Sequence, residues 1–151
     1  MGIKDSCSIE SAEALRTAVG TLPVYIGNDN QALAVLQKGM RCITGACNAC
    51  PELMIGLHEA YARGDGAGAN EMQSKVREWM SVVARMPAMG EVPAVKAALN
   101  HRIGDIQAQG GDGGEGDSYG MVCRPPLESL CKGADSHQDV VSWMQANFPP
   151  S

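Results

Sequence analysis

A chain of 151 residues with 44% hydrophobic and 19% charged residues has the profile of one folded domain with a buried core. Its net charge of −5, with no Lys/Arg cluster, counts against nucleic acid or an anionic membrane as the main partner, and no apolar run approaches the ~20 residues of a membrane span. Residues Met1 to Ser6 hold neither an apolar stretch nor a small-residue cleavage site. The six cysteines are therefore expected as reduced, buried thiols in the cytoplasm.

In chain order, Ile3 heads a short apolar stub, and Ser8 can cap a helix from about Glu10 to Val19, with Ala12, Leu15 and Val19 on one face. Gly20 stops it. Val24-Tyr25-Ile26 is a β-branched and aromatic run that reads as a buried strand. Asn28-Asp29-Asn30 offers caps for a second helix through Leu33, Leu36 and Lys38, closed by Gly39. Cys42-Ile43-Thr44 predicts a third strand, with Ile43 as a core residue. Pro51 suits the first position of a helix whose apolar face is Leu53, Leu57, Ala60 and Tyr61, closed by Gly64. Strand and helix thus alternate three times over residues 1–64, the pattern of parallel strands with crossover helices.

Residues 65–151 read as a helical extension. Met72, Val76, Trp79, Val83 and Met86 form one stripe; Val92 to Leu99 predicts another helix, and Val140, Val141, Met144 and Phe148 a last one. Five glycines and three acids in the eight residues 110–117 cannot form a core and are expected as a surface loop.

These segments carry a resemblance. Gly2-Ile3-Lys4-Asp5-Ser6 resembles the sixth strand of the dihydrodipicolinate synthase / N-acetylneuraminate lyase family, where a Gly-Ile-Lys-(Asp/Glu)-(Ser/Ala) segment presents a Schiff-base lysine. Ile26-Gly27-Asn28-Asp29 is similar to the Gly-x-Asp segment that ends the family's seventh strand. Cys42 to Pro51 is similar to the eighth-strand segment, with Ile43, Asn48 and Pro51 in register. Val95-Lys96-Ala97-Ala98-Leu99 and Arg124-Pro125-Pro126-Leu127 resemble its C-terminal helical motifs. The resemblance implies an α/β chain forming the C-terminal half of a (β/α)₈ barrel, strands six to eight with their helices, followed by the helical extension.

It also implies a chemistry. A neutral lysine amine attacks the ketone of a 2-oxo acid such as pyruvate and loses water to form an iminium, an electron sink through which the adjacent carbon–carbon bond breaks or forms. An ordinary lysine near pKa 10.4 is protonated at neutral pH, and burial at the C-terminal mouth of a barrel, where barrel active sites lie, lowers that value. Lys4 takes this role by resemblance; by residue type alone it reads as a solvated lysine. Gly27 would let substrate approach the backbone, Asp29 and Asn30 would bond hydroxyls of the aldehyde-derived portion, and the Ile43 carbonyl would lie near the lysine. By residue type alone, Gly27 to Asn30 is a helix-capping loop. No cofactor is implied.

The family's Thr-Thr-Gly-Glu and Tyr-Asn-x-Pro segments are absent, since none of Tyr25, Tyr61 and Tyr119 precedes an asparagine. Gly45 stands where sialic-acid lyases carry a serine. Three parallel strands leave two unpaired edges, so the chain is expected as a homo-oligomer or joined to a missing N-terminal half. Two rival readings are a non-catalytic interaction module and an iron–sulfur or zinc protein using Cys42, Cys47 and Cys50 at C-x₄-C-x₂-C spacing. The distant fourth cysteine and the strand position of Cys42 weigh against the metal.

Overall fold

The computed structural model describes residues 1–85, 91–108 and 134–149. Strands β1 (Ile3–Asp5), β2 (Val24–Ile26) and β3 (Arg41–Cys42) form a parallel sheet in the order β1-β2-β3. The register sets Lys4 beside Tyr25 and Tyr25 beside Arg41 in one row, and Asp5 beside Ile26 and Ile26 beside Cys42 in the next.

Each crossover is a helix with legible ends. In α1 (Ile9–Val19), the Ser8 hydroxyl accepts from the Ser11 N–H at 3.2 Å, satisfying one of the helix's orphan donors. Gly20, Gly39 and Gly64 follow α1, α2 (Ala32–Gln37) and α3 (Pro51–Ala62) with φ of 65°, 68° and 73°, a conformation only glycine adopts without strain. Pro51 begins α3, where its missing N–H costs nothing.

Side-chain alternation divides the sheet. Val24 and Ile26 point to one face and pack with Ile9, Ala12, Val35 and Met40 beneath α1 and α2. On the opposite face Lys4 and Arg41 are exposed and Tyr25 is half-buried. A second cluster joins Leu33 and Leu36 of α2, Leu57 and Ala60 of α3, and Ala69 of α4 (Gly66–Arg85). The Tyr61 hydroxyl, at the rim of that cluster, donates to the Leu36 carbonyl at 3.0 Å.

The chain divides into two compact units, Met1–Met80 and Ser81–Ser151. In the second, α5 (Glu91–Ala108) packs against α6 (Ala134–Asn147). Val140 and Met144 are buried, Trp143 meets Phe148 edge-on at 6.0 Å, and the Arg102 guanidinium lies 5.3 Å from the Phe148 ring centre. The helices expected at Val92–Leu99 and around Val140 are present but longer. The glycine-rich stretch 110–117 and the Arg124-Pro125-Pro126-Leu127 motif lie outside the described residues. Among the described residues no helix is long and apolar enough to cross a membrane.

Two expectations need correction. The third strand is Arg41–Cys42, not Cys42–Thr44, and Ile43 is no core residue, being 45% exposed. Its N–H still donates to the Ile26 carbonyl at 2.9 Å, extending the ladder by one bond. Ile43 follows the alternation onto the open face, where nothing among the described residues covers it. Nor are all the thiols buried: Cys7 is exposed and Cys42 only partly covered.

Candidate active site

Pairing of β1 with β2 brings Lys4 and Gly27 together. The Gly27 N–H donates to the Asp5 carbonyl at 2.7 Å, so the ladder continues past the end of β2. The Lys4 side chain lies over this glycine. A Cβ built on Gly27 would overlap Lys4 Cε and would stand 2.7 Å from Ser6 Oγ and 3.2 Å from Lys4 Nζ. Glycine serves here for space; Gly27 is not among the residues with positive φ. Ser6, one alternation beyond Lys4 on the same face, brings a hydroxyl beside the amine. The sequence reading passed over it, although spacing by two along a strand was the available signal.

The other expected residues are placed differently. Asp29 is 4% exposed and turns inward: its Oδ2 accepts from the Cys47 N–H at 3.2 Å, splicing the β2–α2 loop to the β3–α3 loop. It makes no helix cap, and neither does Asn28. The Asn30 side chain is exposed, and its carbonyl accepts from Arg77 Nε at 3.3 Å. Ile43 sits after β3, with β2 between it and Lys4.

Behind the loops lies a knot of sulfur. Cys47, within a 3₁₀ turn at Ala46–Ala49, and Cys50, directly after it, are both buried. A side-chain hydrogen bond with Cys50, together with burial, pushes the Cys47 thiol far up. Burial and the neighbouring Asp29 carboxylate push Cys42 up to about 11. Cys7 is raised by its hydrogen bond to Asp5 and by that residue's charge. Among the described residues, no group of three or more His, Cys, Asp or Glu is arranged to hold a metal ion.

These thiols give the first prediction. Only the thiolate attacks an alkylating reagent, so iodoacetamide at pH 8 should label exposed Cys7 well before Cys47 and Cys50, which should react only as the chain opens. Peptide mapping separates Cys7 from Cys123 and Cys131, which lie outside the described residues. Labelling of Cys47 as fast as Cys7 in the folded protein contradicts the buried hydrogen-bonded pair.

Helix α4 supplies two further groups that periodicity did not single out for the site. Gln73, 1% exposed, accepts from the Leu33 N–H at 2.7 Å and donates to the Asp29 carbonyl at 3.2 Å. Trp79 donates through Nε1 to the Ala46 carbonyl at 2.9 Å. A glutamine within the apolar face of Ala69, Val76 and Trp79 was the one available sign.

An uncharacterised DapA-like lyase of Halobacterium salinarum is 36% identical over 105 residues, covering 67% of this chain and 33% of that protein. A probable 2-dehydro-3-deoxy-D-pentonate aldolase of Escherichia coli is 33% identical over 92 residues, covering 56% of this chain and 30% of the aldolase. The chain thus spans about a third of the length of the curated relatives it matches. The profile of the dihydrodipicolinate synthetase family matches residues 1–108, running from the strand that carries Lys4 through α5. With that match over most of its length, the chain belongs to the dihydrodipicolinate synthetase family.

Proposed function

We propose that this chain carries the Schiff-base half of a lyase or aldolase acting on pyruvate or a pyruvate-derived 2-oxo acid, with Lys4 as the nucleophile. The observation that carries the reading is the Lys4 amine held over Gly27 with the Ser6 hydroxyl beside it. An amine so placed adds to a ketone carbon; loss of water leaves the iminium, and an adjacent carbon–carbon bond cleaves as its electrons enter the enamine. Gly27, lacking a Cβ, leaves the space in which the Lys4 side chain lies. The exposed Asn30 side chain and the Ile43 backbone border the same end of the sheet and are assigned to the substrate. Asp29 is assigned to hold the two loops together.

The fold reading follows from the sheet. Parallel sheets are normally covered on both faces, yet this one is open at Lys4, Arg41 and Ile43. A C-terminal half-barrel, with these residues facing its interior, accounts for the open face and for both free edges. The remaining wall would come from an N-terminal half or from further copies of the chain, and would exclude water from Lys4. The aldolase among the relatives makes a 2-keto-3-deoxy sugar acid a reasonable substrate class to assay first.

The test is reductive trapping. Pyruvate with borohydride should fix a secondary amine on the peptide containing Lys4, read by mass spectrometry. Trapping is expected to be weak and turnover negligible for the chain alone, because proton transfer by a placed tyrosine contributes about 10²–10⁴-fold and no such residue is identified. Both should rise when residues 1–151 are joined to a matching N-terminal half. Adduct spread evenly over Lys4, Lys38 and Lys96 sinks the reading, since it makes Lys4 an ordinary surface amine.

A further inference from the structure

Gln73 is a polar side chain buried at 1% exposure, and both its partners belong to the segment from the Gly27 loop to the start of α2. A buried amide is costly unless both its halves are bonded, and a methionine of the same volume would take the partner from the Leu33 N–H and the Asp29 carbonyl. Both halves are bonded here. The carbonyl takes the Leu33 N–H at the start of α2, and the amide N–H₂ holds the Asp29 carbonyl in the loop that follows Gly27. Six residues on, Trp79 holds the Ala46 carbonyl in the β3–α3 loop, and the Asp29 carboxylate bonds the Cys47 N–H of that loop. One helix thus grips both loops at the Lys4 end of the sheet, and Asp29 couples the two grips.

We infer that Gln73 is a positioning residue for the Lys4 site, fixing the Gly27–Asn30 loop and, through Asp29, the loop after β3. In its chemical consequence the inference rests on the Lys4 reading above. The glycine is the floor beneath the amine, so the height of that loop sets where a ketone can stand relative to Nζ. Helix α4 then belongs to the site although none of its side chains is assigned to touch substrate.

The experiment uses the full chain and the Gln73→Met variant, with two measurements on each. Hydrogen exchange reads the Leu33 and Cys47 amides; pyruvate–borohydride trapping reads the limiting rate and half-saturating concentration at Lys4. Exchange at Cys47, an amide Gln73 does not touch, should rise about tenfold, the worth of one net hydrogen bond. The limiting trapping rate should fall about 10- to 100-fold, as for a small misplacement of reacting groups, with half-saturation changed far less. Purely structural support would lower the melting temperature yet leave the rate per folded molecule and the Cys47 amide unaltered, and that result overturns the inference. If Gln73→Met does not fold, Trp79→Phe tests the same coupling from the other loop. Its Ala46 carbonyl is released, and the Asp29 and Leu33 amides must loosen; protection unchanged there overturns it equally. If the wild-type chain gives no adduct on Lys4, the lyase reading fails and the exchange measurement alone decides whether the loops are coupled.

Discussion

Pyruvate adduct formation should vanish in Lys4→Ala and fall about a hundredfold in Gly27→Ala, while both proteins keep their fold. The first result follows from removing the nucleophile. The second separates position from presence. An alanine methyl at residue 27 would occupy the volume now filled by Lys4 Cε and would crowd Nζ and Ser6 Oγ. Those atoms end flexible side chains, so they can swing aside at small cost to stability. The backbone at residue 27 is not left-handed, so alanine brings no torsional strain either. What changes is the location of the amine, and misplacement by about 1 Å is worth about 10² in rate. The checks are the trapping rate at saturating pyruvate and a thermal melt of each variant. Unchanged trapping in Gly27→Ala shows that the amine reacts from some other position, and the site drawn here is then wrong.

The largest effect on stability is expected at Trp79. It is the largest fully buried side chain among the described residues, at 0% exposure. Truncation to alanine costs about 3–5 kcal/mol for the lost packing and the cavity. It also strips the buried Ala46 carbonyl of its donor, adding about 1–3 kcal/mol where water cannot enter. Against a total stability of about 5–15 kcal/mol, that is enough to unfold a weakly stable unit. At about 4–8 °C per kcal/mol for a small domain, Trp79→Ala should lower the melting midpoint by at least about 15 °C or abolish the transition. Trp79→Phe keeps most of the volume and should lose only the hydrogen-bond part. A midpoint within a few degrees of wild type for the alanine variant means the indole is not the packing centre of this unit.

What the sequence told in advance was what is local. Ser8, Gly20, Gly39, Pro51 and Gly64 act within one turn of themselves, and each marks a helix boundary close to where it was expected. Parallel pairing followed from helices interposed between short β-branched runs. The meeting of Lys4 with Gly27 came from resemblance; neither residue's type foretells it, because their contact depends on strand register. Asp29 shows where local reasoning fails. With Asn28 and Asn30 it was expected to cap α2, but its carboxylate bonds an amide 18 residues away. Gln73 is a similar case, with partners 40 and 44 residues back. Ile43 failed for another reason: alternation gives the face on which a strand residue lies, not whether anything covers that face.

The strand order also bears on how the sheet can be made. β1, β2 and β3 lie side by side in the order in which they occur in the chain, and every ladder bond joins strands separated by a single helix. Closing each such loop costs little entropy, because the cost grows only with the logarithm of loop length. Each strand can dock on its predecessor as soon as the intervening helix exists, and the floor under Lys4 needs only β1 and β2.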